Sequence, residues 1–363
     1  MSCPISGELS SRPVCSSPVL PTGREQTPLT LRNMAAGERP ATMRAVQYSG
    51  YGGGAAALKF VEIPVPKLKK DSVLIKVEAA SINQADWMVQ KGMMRPFHPK
   101  FPFIPVNNAS GEIVEIGSAV RELKVGDKVV SKLDFWTAGG LAEYVATTEK
   151  LTVARPTGVS AADAAGLPVA GLTALQALKA IGTKFDGSGN GADVLITAAS
   201  SGVGTYAVQL AKLGNHRVTA TCGARNLHLV GSLGADEVLD YKTPEGAALT
   251  SPSGKKYDYI VNITNQNKWS AFKPRLSCHG RVVDIAPNLG NFVASVMTRF
   301  SRRKKLSLVT LKMSKDDLGF LLELMKEGKL KTVVDSQHPF DKAADAWARS
   351  MSGHATGKVI VEM

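Results

Sequence analysis

The chain has 363 residues, of which 44% are hydrophobic, 21% charged and 6% aromatic. That balance excludes a collagen-like, coiled-coil or wholly disordered chain, and the length suits about two domains. Lys plus Arg total 44 against 31 Asp plus Glu, a net charge of +13, which bears on anionic partners and not on fold.

Residues 1–42 hold six prolines and six serines, with no apolar periodicity. Such a stretch cannot bury enough surface to offset its ordering entropy, so a disordered leader is expected. A plastid transit peptide is one reading, but these are poor in acids, and Glu8, Glu25 and Glu38 are present. The other is an upstream start codon, with Met34 as the real first residue.

Short apolar runs begin at Met43. Met43–Tyr48, Leu58–Ile63, Val73–Ala79, Gly111–Ile116, Lys128–Val130 and Leu141–Thr147 read as strands separated by Gly and Pro turns. Strands at this spacing predict a small β-rich domain, a barrel being one form. Near residue 160 the period changes. Ser160 caps a helix over Ala161–Leu167, Pro168 interrupts it, and Gly171–Ala180 resumes. The strand Val194–Thr197 then opens onto Ala198–Gly204, followed by a helix over Thr205–Leu213. Strand Arg217–Cys222, helix Arg225–Leu233 and strands Glu237–Tyr241, Tyr257–Ile263 and Arg281–Ala286 come next. Strands alternating with helices predict a parallel, doubly wound sheet, so the fold class is α/β. The tail holds a helix at Asp316–Glu327, strand Thr332–Val334, helix Asp341–Ser350 and strand Lys358–Val361. These elements are too few for a domain of their own and need a neighbour; the β-rich domain is a reasonable host.

Strand, small-residue turn, helix is the arrangement that cradles a dinucleotide pyrophosphate. The helix N-terminus offers free N–H groups and partial positive charge, and small residues let the backbone approach the phosphates. Here Ala199, Ser200, Ser201, Gly202, Val203 and Gly204 form that turn, with Ala199 and Ser201 in place of the first two glycines of G-x-G-x-x-G. Its place inside a βαβαβ run is the context that gives the motif meaning. An NAD site would carry an acid at the end of the second strand. This chain has Cys222, Gly223, Ala224 and Arg225 there. No acid repels a 2′-phosphate and Arg225 can pair with one, so NADPH is expected over NADH. Tyr241 and Lys242 are further candidate walls of the adenosine site.

These features together resemble the medium-chain dehydrogenase/reductase superfamily, in its zinc-free quinone oxidoreductase branch. The resemblance is carried by Tyr51-Gly52-Gly53, Glu62–Pro66, Val73–Val77, Ala80–Asp86, Gly111–Gly117, Val125–Val129, Gly171–Ala174, the glycine turn and Gly357–Ile360. Within the branch, Thr219–Asn226, Asp240–Ser253 and His354–Lys358 are similar to the chloroplast-envelope quinone oxidoreductase homologues of plants. The resemblance implies a GroES-like catalytic domain at 43–168 and 313–363 and a Rossmann NADPH-binding domain at 169–312, with the active site between them. It also implies a chloroplast location, peripheral on the inner envelope, the alternative being cytoplasmic.

Zinc-dependent members of the superfamily place a ligand cysteine where this chain has Asn83. The only cysteines of the core, Cys222 and Cys278, lie in the nucleotide half, and none of the six histidines forms a ligand pair. A catalytic zinc needs three good protein ligands, so no metal is expected. The cysteine pattern also makes no disulfide framework. Family members pass hydride to quinones or to the β-carbon of α,β-unsaturated carbonyls, and the chloroplast members suit long-chain oxidised lipids. Asn83 is the first candidate for contact with nicotinamide or substrate, the alternative being a local backbone cap. Asp86 either orients the site or caps a turn. Thr173 matches a family threonine near the nicotinamide, or packs a helix. Relatives carry a tyrosine in the loop after this Asn; Met93 and Met94 stand here, which leaves the proton donor unassigned and makes the pocket more apolar.

Arg299, Arg302, Arg303, Lys304, Lys305 and Lys312 form an acid-free run. It is either a patch for anionic membrane lipid or a solvated loop leading to a strand that pairs across a homodimer. Single-stranded nucleic acid is the electrostatic alternative, but Phe300 is the lone aromatic beside the run, so nucleic acid is not expected. A non-enzymatic NADPH-binding protein of membrane surfaces or RNA is the second functional class.

Overall fold

The computed structural model describes residues 40–95 and 100–363. All but the last three residues of the expected leader lie outside that range. Residues 40–363 pack as one compact unit holding two large sheets.

The β-rich part begins with the antiparallel pair β1 (Thr42–Gln47) and β2 (Lys59–Pro64). It continues through β3 (Ser72–Ile82), β4 (Asn108–Ile116), β5 (Lys128–Lys132), β6 (Tyr144–Thr148) and β7 (Thr152–Ala154). The strand β3 is the spine: it is buried along nearly its whole length and pairs with both β4 and β6. Its apolar residues Val73, Ile75 and Val77 pack with Ile113, Val129 and Val145. A short helix, Gln84–Gln90, follows β3 and was not read from the sequence.

The second sheet is parallel throughout. Its strands are β8 (Asp193–Ile196), β9 (Arg217–Cys222), β10 (Glu237–Asp240), β11 (Tyr257–Asn262), β12 (Leu276–Asp284) and β13 (Lys305–Leu308). They lie in the order β10-β9-β8-β11-β12-β13, the doubly wound order whose direction reverses between the first and fourth strands. Ligands of such sheets bind at the carboxyl ends beside that reversal, here between β8 and β11.

The helix at Ala161–Ala180 corrects one expectation. Pro168 does not break it; a wide π turn over Leu167–Gly171 carries the chain through. Proline lacks an N–H, and its ring crowds the carbonyl of an ordinary turn. The wider turn absorbs the ring, and the Thr173 hydroxyl donates to the Val169 carbonyl at 2.7 Å. Ser160 does cap the start, its hydroxyl accepting the Asp163 N–H at 3.0 Å. This helix is long and apolar enough to cross a membrane, but 72% of the segment is buried inside the protein, which makes it a core helix.

The tail divides. The strands β14 (Val334–Pro339) and β15 (Lys358–Glu362) join β3 at the edge of the mixed sheet. The helix Lys315–Lys326 sends Leu318, Leu321 and Leu322 into a cluster that joins Leu172, Leu175 and Ile196 with Val130 and Val159 of the β-rich part. Each such leucine contributes about 1.5–3 kcal/mol by burial, so this helix packs where the two parts meet.

Candidate functional site

The turn after β8 has the geometry of a helix N-terminus approached by small residues. Ala198 adopts φ of 49°, a left-handed conformation that costs an ordinary residue about 1–2 kcal/mol. Ser201 is the N-cap of the helix Gly202–Leu213, its hydroxyl accepting the Gly204 N–H at 3.1 Å. The N–H groups of Gly202 and Val203 have no acceptor within the helix and carry its positive end. Gly204 must be glycine, since a Cβ there would sit 2.3 Å from the Ala198 carbonyl oxygen. At the neighbouring strand, Thr197 donates to Asn262 and accepts the Ile263 N–H, both at 2.9 Å. The ends of β8 and β11 are thereby tied at the point of reversal.

The far end of the chain lies against this turn. Gly357 donates its N–H to the Ser200 carbonyl at 2.9 Å. The next residue, Lys358, runs its stem past Gly202, where a Cβ would come 3.0 Å from Lys358 Cδ. Its ammonium donates to Asn83 Oδ1 at 2.6 Å and to the Ile82 carbonyl at 3.4 Å.

Asn83 is the N-cap residue of the helix Gln84–Gln90. Its Nδ2 donates to the Ser81 carbonyl at 3.2 Å, and its backbone N–H goes to Asp86 Oδ2 at 2.7 Å. The local-cap reading of both residues therefore describes real contacts. The tie to Lys358 adds a link to the nucleotide half. Lys358 is 2% exposed and Asp86 3%. Burial raises the Asp86 carboxyl to about 6, against the opposing pull of the Asn83 N–H and the Lys358 charge. Burial likewise lowers the Lys358 ammonium to about 8, with Asp86 opposing.

The residues expected to choose the cofactor lie one strand away, at the end of β9. Gly223 faces the exposed Tyr241 ring, which lies 3.5 Å from where a Gly223 Cβ would be. Arg225 is exposed and donates to the His354 carbonyl, while Thr356 donates to Asn226 at 3.2 Å. One segment, His354–Lys358, thus touches the Arg225 loop, the phosphate turn and Asn83. Thr173 stands apart from this set, with its hydroxyl engaged inside its own helix. Met93 and Met94 are exposed, in the turn after the Gln84–Gln90 helix.

Lys358 is the site residue that sequence reasoning missed. The sequence places it in a closing strand and in the family-like runs Gly357–Ile360 and His354–Lys358 but gives it no role of its own, because a lysine opening an apolar strand looks like any solvated strand end.

The residues do not fit a zinc ion. No three His, Cys, Asp or Glu side chains gather among the described residues. At the Asn83 position the amide oxygen already holds a buried ammonium, which repels a dication.

Away from these residues, the helix Leu289–Thr298 exposes a broad apolar face. Leu289 is 80% exposed, Met297 79% and the following Phe300 89%, with Phe292, Val293 and Val296 beside them. An open cavity of about 1660 Å³ runs along it, with Lys268, Lys273, Arg303 and Lys304 among its lining residues. The basic run is not uniformly free. Arg299, Arg302 and Arg303 are exposed, whereas the half-buried Lys304 donates to the Lys273 carbonyl at 2.7 Å. Lys305 is half-buried at the start of β13, the outer strand of the parallel sheet.

Residues 69–157 match the alcohol dehydrogenase GroES-like domain and residues 233–361 the zinc-binding dehydrogenase family. The chain is 58% identical over 323 residues to the chloroplast envelope quinone oxidoreductase homolog of Arabidopsis thaliana, covering 88% of this chain and 98% of that one. It is 34% identical to the chloroplastic NADPH-dependent alkenal/one oxidoreductase of the same plant, covering 89% of this chain and 80% of that one. The structure superimposes on the quinone oxidoreductase of Coxiella burnetii with a TM-score of 0.77 at 27% identity, covering 89% of this chain and 99% of that one.

Proposed function

Because the chain belongs to the medium-chain dehydrogenase/reductase superfamily, an oxidoreductase family that uses nicotinamide cofactors, we propose that it is a zinc-free, NADPH-dependent reductase of α,β-unsaturated carbonyls or quinones. The observation that carries this reading is the Lys358–Asn83 contact beside the phosphate turn. It puts hydrogen-bonding groups and a buried cation, and no metal ligand set, where the cofactor turn meets the β-rich half. The names of the plant relatives, a quinone oxidoreductase homologue and an alkenal/one oxidoreductase, support the substrate class. Residues 43–168 with 313–363 form the catalytic half and residues 169–312 the nucleotide half.

NADPH supplies hydride to the β-carbon of the activated double bond. The chain's own groups hold and orient. The turn Ala199–Gly204, with the free N–H groups of Gly202 and Val203, would receive the pyrophosphate. Arg225 would pair with the 2′-phosphate and Gly223 and Tyr241 would flank the adenosine, with Thr173 the family-like candidate for the nicotinamide end. As charge moves onto the carbonyl oxygen, a fixed donor lowers the barrier, and Asn83 is that donor. Asp86 fixes Asn83 through its backbone N–H. The proton for the α-carbon comes from water. Long-chain enones suit the apolar Met93–Met94 side of the site.

The location follows the relatives, in the chloroplast at the envelope surface. The exposed Leu289–Thr298 face, with Arg299, Arg302, Arg303, Lys304 and Lys305 after it, supports peripheral attachment to anionic lipid. A homodimer through the outer edge of β13 is the other use of that surface.

The test is NADPH oxidation by the full chain against short enals, long-chain enones, fatty-acid ketols and a simple quinone, with NADH in parallel. NADPH-selective turnover of enones or quinones is expected. NADPH binding without turnover on any of them would overturn the reductase in favour of a binding protein.

A further inference from the structure

The segment from Ser352 to Gly357 reaches the nucleotide half with little of its own to fix its path. Gly353 and Gly357 flank it at positive φ, and Ser352, Gly353 and His354 are exposed. Glycines give such a segment the most backbone freedom to lose.

Two side chains of the catalytic half hold it. Asp335 lies in β14 and Arg349 in the helix Ala343–Met351. They form a bidentate fork, with Arg349 Nε donating to Asp335 Oδ2 at 2.7 Å and Nη2 donating to Oδ1 at 2.6 Å. An exposed ion pair contributes little, but a planar fork on a carboxylate that is 5% exposed is fixed in direction. Asp335 Oδ1 also accepts the Thr356 N–H at 2.7 Å, and Arg349 Nη2 donates to the His354 carbonyl at 3.1 Å. The same carbonyl accepts Arg225 Nη2 from the nucleotide half.

The two arginines on that oxygen are not equivalent. Arg349 sits on a carboxylate, which offsets its charge. Arg225 is exposed and meets a neutral carbonyl, which leaves its charge for an anion. A guanidinium has five N–H donors, and the bond to His354 uses one of them. Ordering a long side chain before the ligand arrives removes part of the cost of binding.

We propose that Asp335 and Arg349 are positioning residues for cofactor choice: together they set the His354 carbonyl, which orders Arg225 for the 2′-phosphate of NADPH. The proposal rests on the 2′-phosphate reading of Arg225. It makes the preference for NADPH a property of both halves of the chain, since the pair that orders the arginine belongs to the catalytic half.

The test is a fluorescence titration with NADPH and with NADH, which needs no turnover. It compares the wild-type chain with Asp335→Asn, Arg349→Met and the two combined, each with and without Arg225→Ala. The combined variant leaves no uncompensated buried carboxylate, so it carries the test if a single variant fails to fold. Arg349→Met and the combined variant should lose about fivefold in NADPH affinity relative to NADH, within the usual coupling between residues in contact. Asp335→Asn separates position from charge. Removing a carboxylate makes the region more positive, so charge alone would tighten NADPH binding, whereas a disordered Arg225 weakens it. In the Arg225→Ala background none of the three should change the ratio further. An equal loss for both cofactors, tighter NADPH binding by Asp335→Asn, or the same loss of preference with and without Arg225 would overturn the proposal. If Arg225→Ala itself leaves the preference unchanged, the 2′-phosphate reading falls and the proposal with it. If Arg225→Ala lowers the preference and the Asp335 and Arg349 variants do not, the proposal alone falls.

Discussion

Gly357 and Ser200 are joined by a 2.9 Å hydrogen bond that seats the start of β15 on the phosphate turn. The geometry depends on glycine. Gly357 has φ of 82°, and a Cβ there would lie 2.1 Å from the Val333 carbonyl oxygen. Two residues distant in the chain are thereby placed within one site, and Lys358 is carried into it by the next peptide.

Gly357→Ala is therefore expected to lower stability by about 1–3 kcal/mol from backbone strain alone. It should weaken NADPH binding as well, because the turn loses its support. Thermal unfolding and a fluorescence titration with NADPH measure the two effects. Wild-type affinity in the variant would mean that β15 does not brace the turn.

The Asp86–Lys358 pair has a signed pH dependence. The folded Asp86 carboxyl is raised from 3.8 to about 6, so its stabilising share is complete below about pH 4 and is lost as pH rises through about 6. The folded Lys358 ammonium is lowered from 10.5 to about 8, so stability returns as pH rises from about 8 to 10.5. Each shift of roughly two units or more corresponds to about 3 kcal/mol. The pair is thus least favourable between about pH 6 and 8, when both charges are buried. Urea unfolding of the wild type and of the Asp86→Asn, Lys358→Met double variant at pH 5, 7 and 9 should show their largest difference at pH 7, in favour of the variant. A difference independent of pH would refute the linkage.

Arg225 is exposed and holds the His354 carbonyl, so its replacement by alanine removes a cation without opening the core. The preference for NADPH over NADH in kcat/KM should fall at least about tenfold, the worth of one charge-assisted contact of about 1.5–3 kcal/mol. Stability should change little. An unchanged preference would take the 2′-phosphate role from Arg225.

The proposed membrane attachment through the Leu289–Thr298 face has two separable parts to test. Neutralising Arg299, Arg302 and Arg303 should reduce flotation with anionic vesicles at low salt, each cation near the surface contributing about 1 kcal/mol. Replacing Leu289, Met297 and Phe300 by serine should reduce flotation at any salt, since apolar insertion is not screened. If both sets leave flotation intact but the apolar set turns a dimer into a monomer, the face is a subunit interface.

Much of the architecture was legible because its signals are local. The alternation in Val73–Ala79 and the apolar run Val194–Thr197 each carry their own strand. The small-residue turn announces itself between a strand and a helix within a few residues. Ser160 and Ser201 cap helices by contacts three residues on. Pro168 misled for the same reason: locally it breaks a helix, and the π turn that absorbs it is held by packing around Leu167 and Leu172. The helix Leu289–Thr298 escaped notice because its apolar residues do not form a stripe toward a core; most face outward.

The sequence by itself determined the two kinds of sheet, the small-residue turn between β8 and its helix, and the absence of an acid at the end of β9. These depend on residue type and short-range order. Only the tertiary structure decided what Asn83 does. Its partner Lys358 is 275 residues away, and no period or spacing links them. A lysine's role depends on whether water surrounds its ammonium, and folding decides that when β15 brings Lys358 between the Asn83 amide and the turn at Gly202.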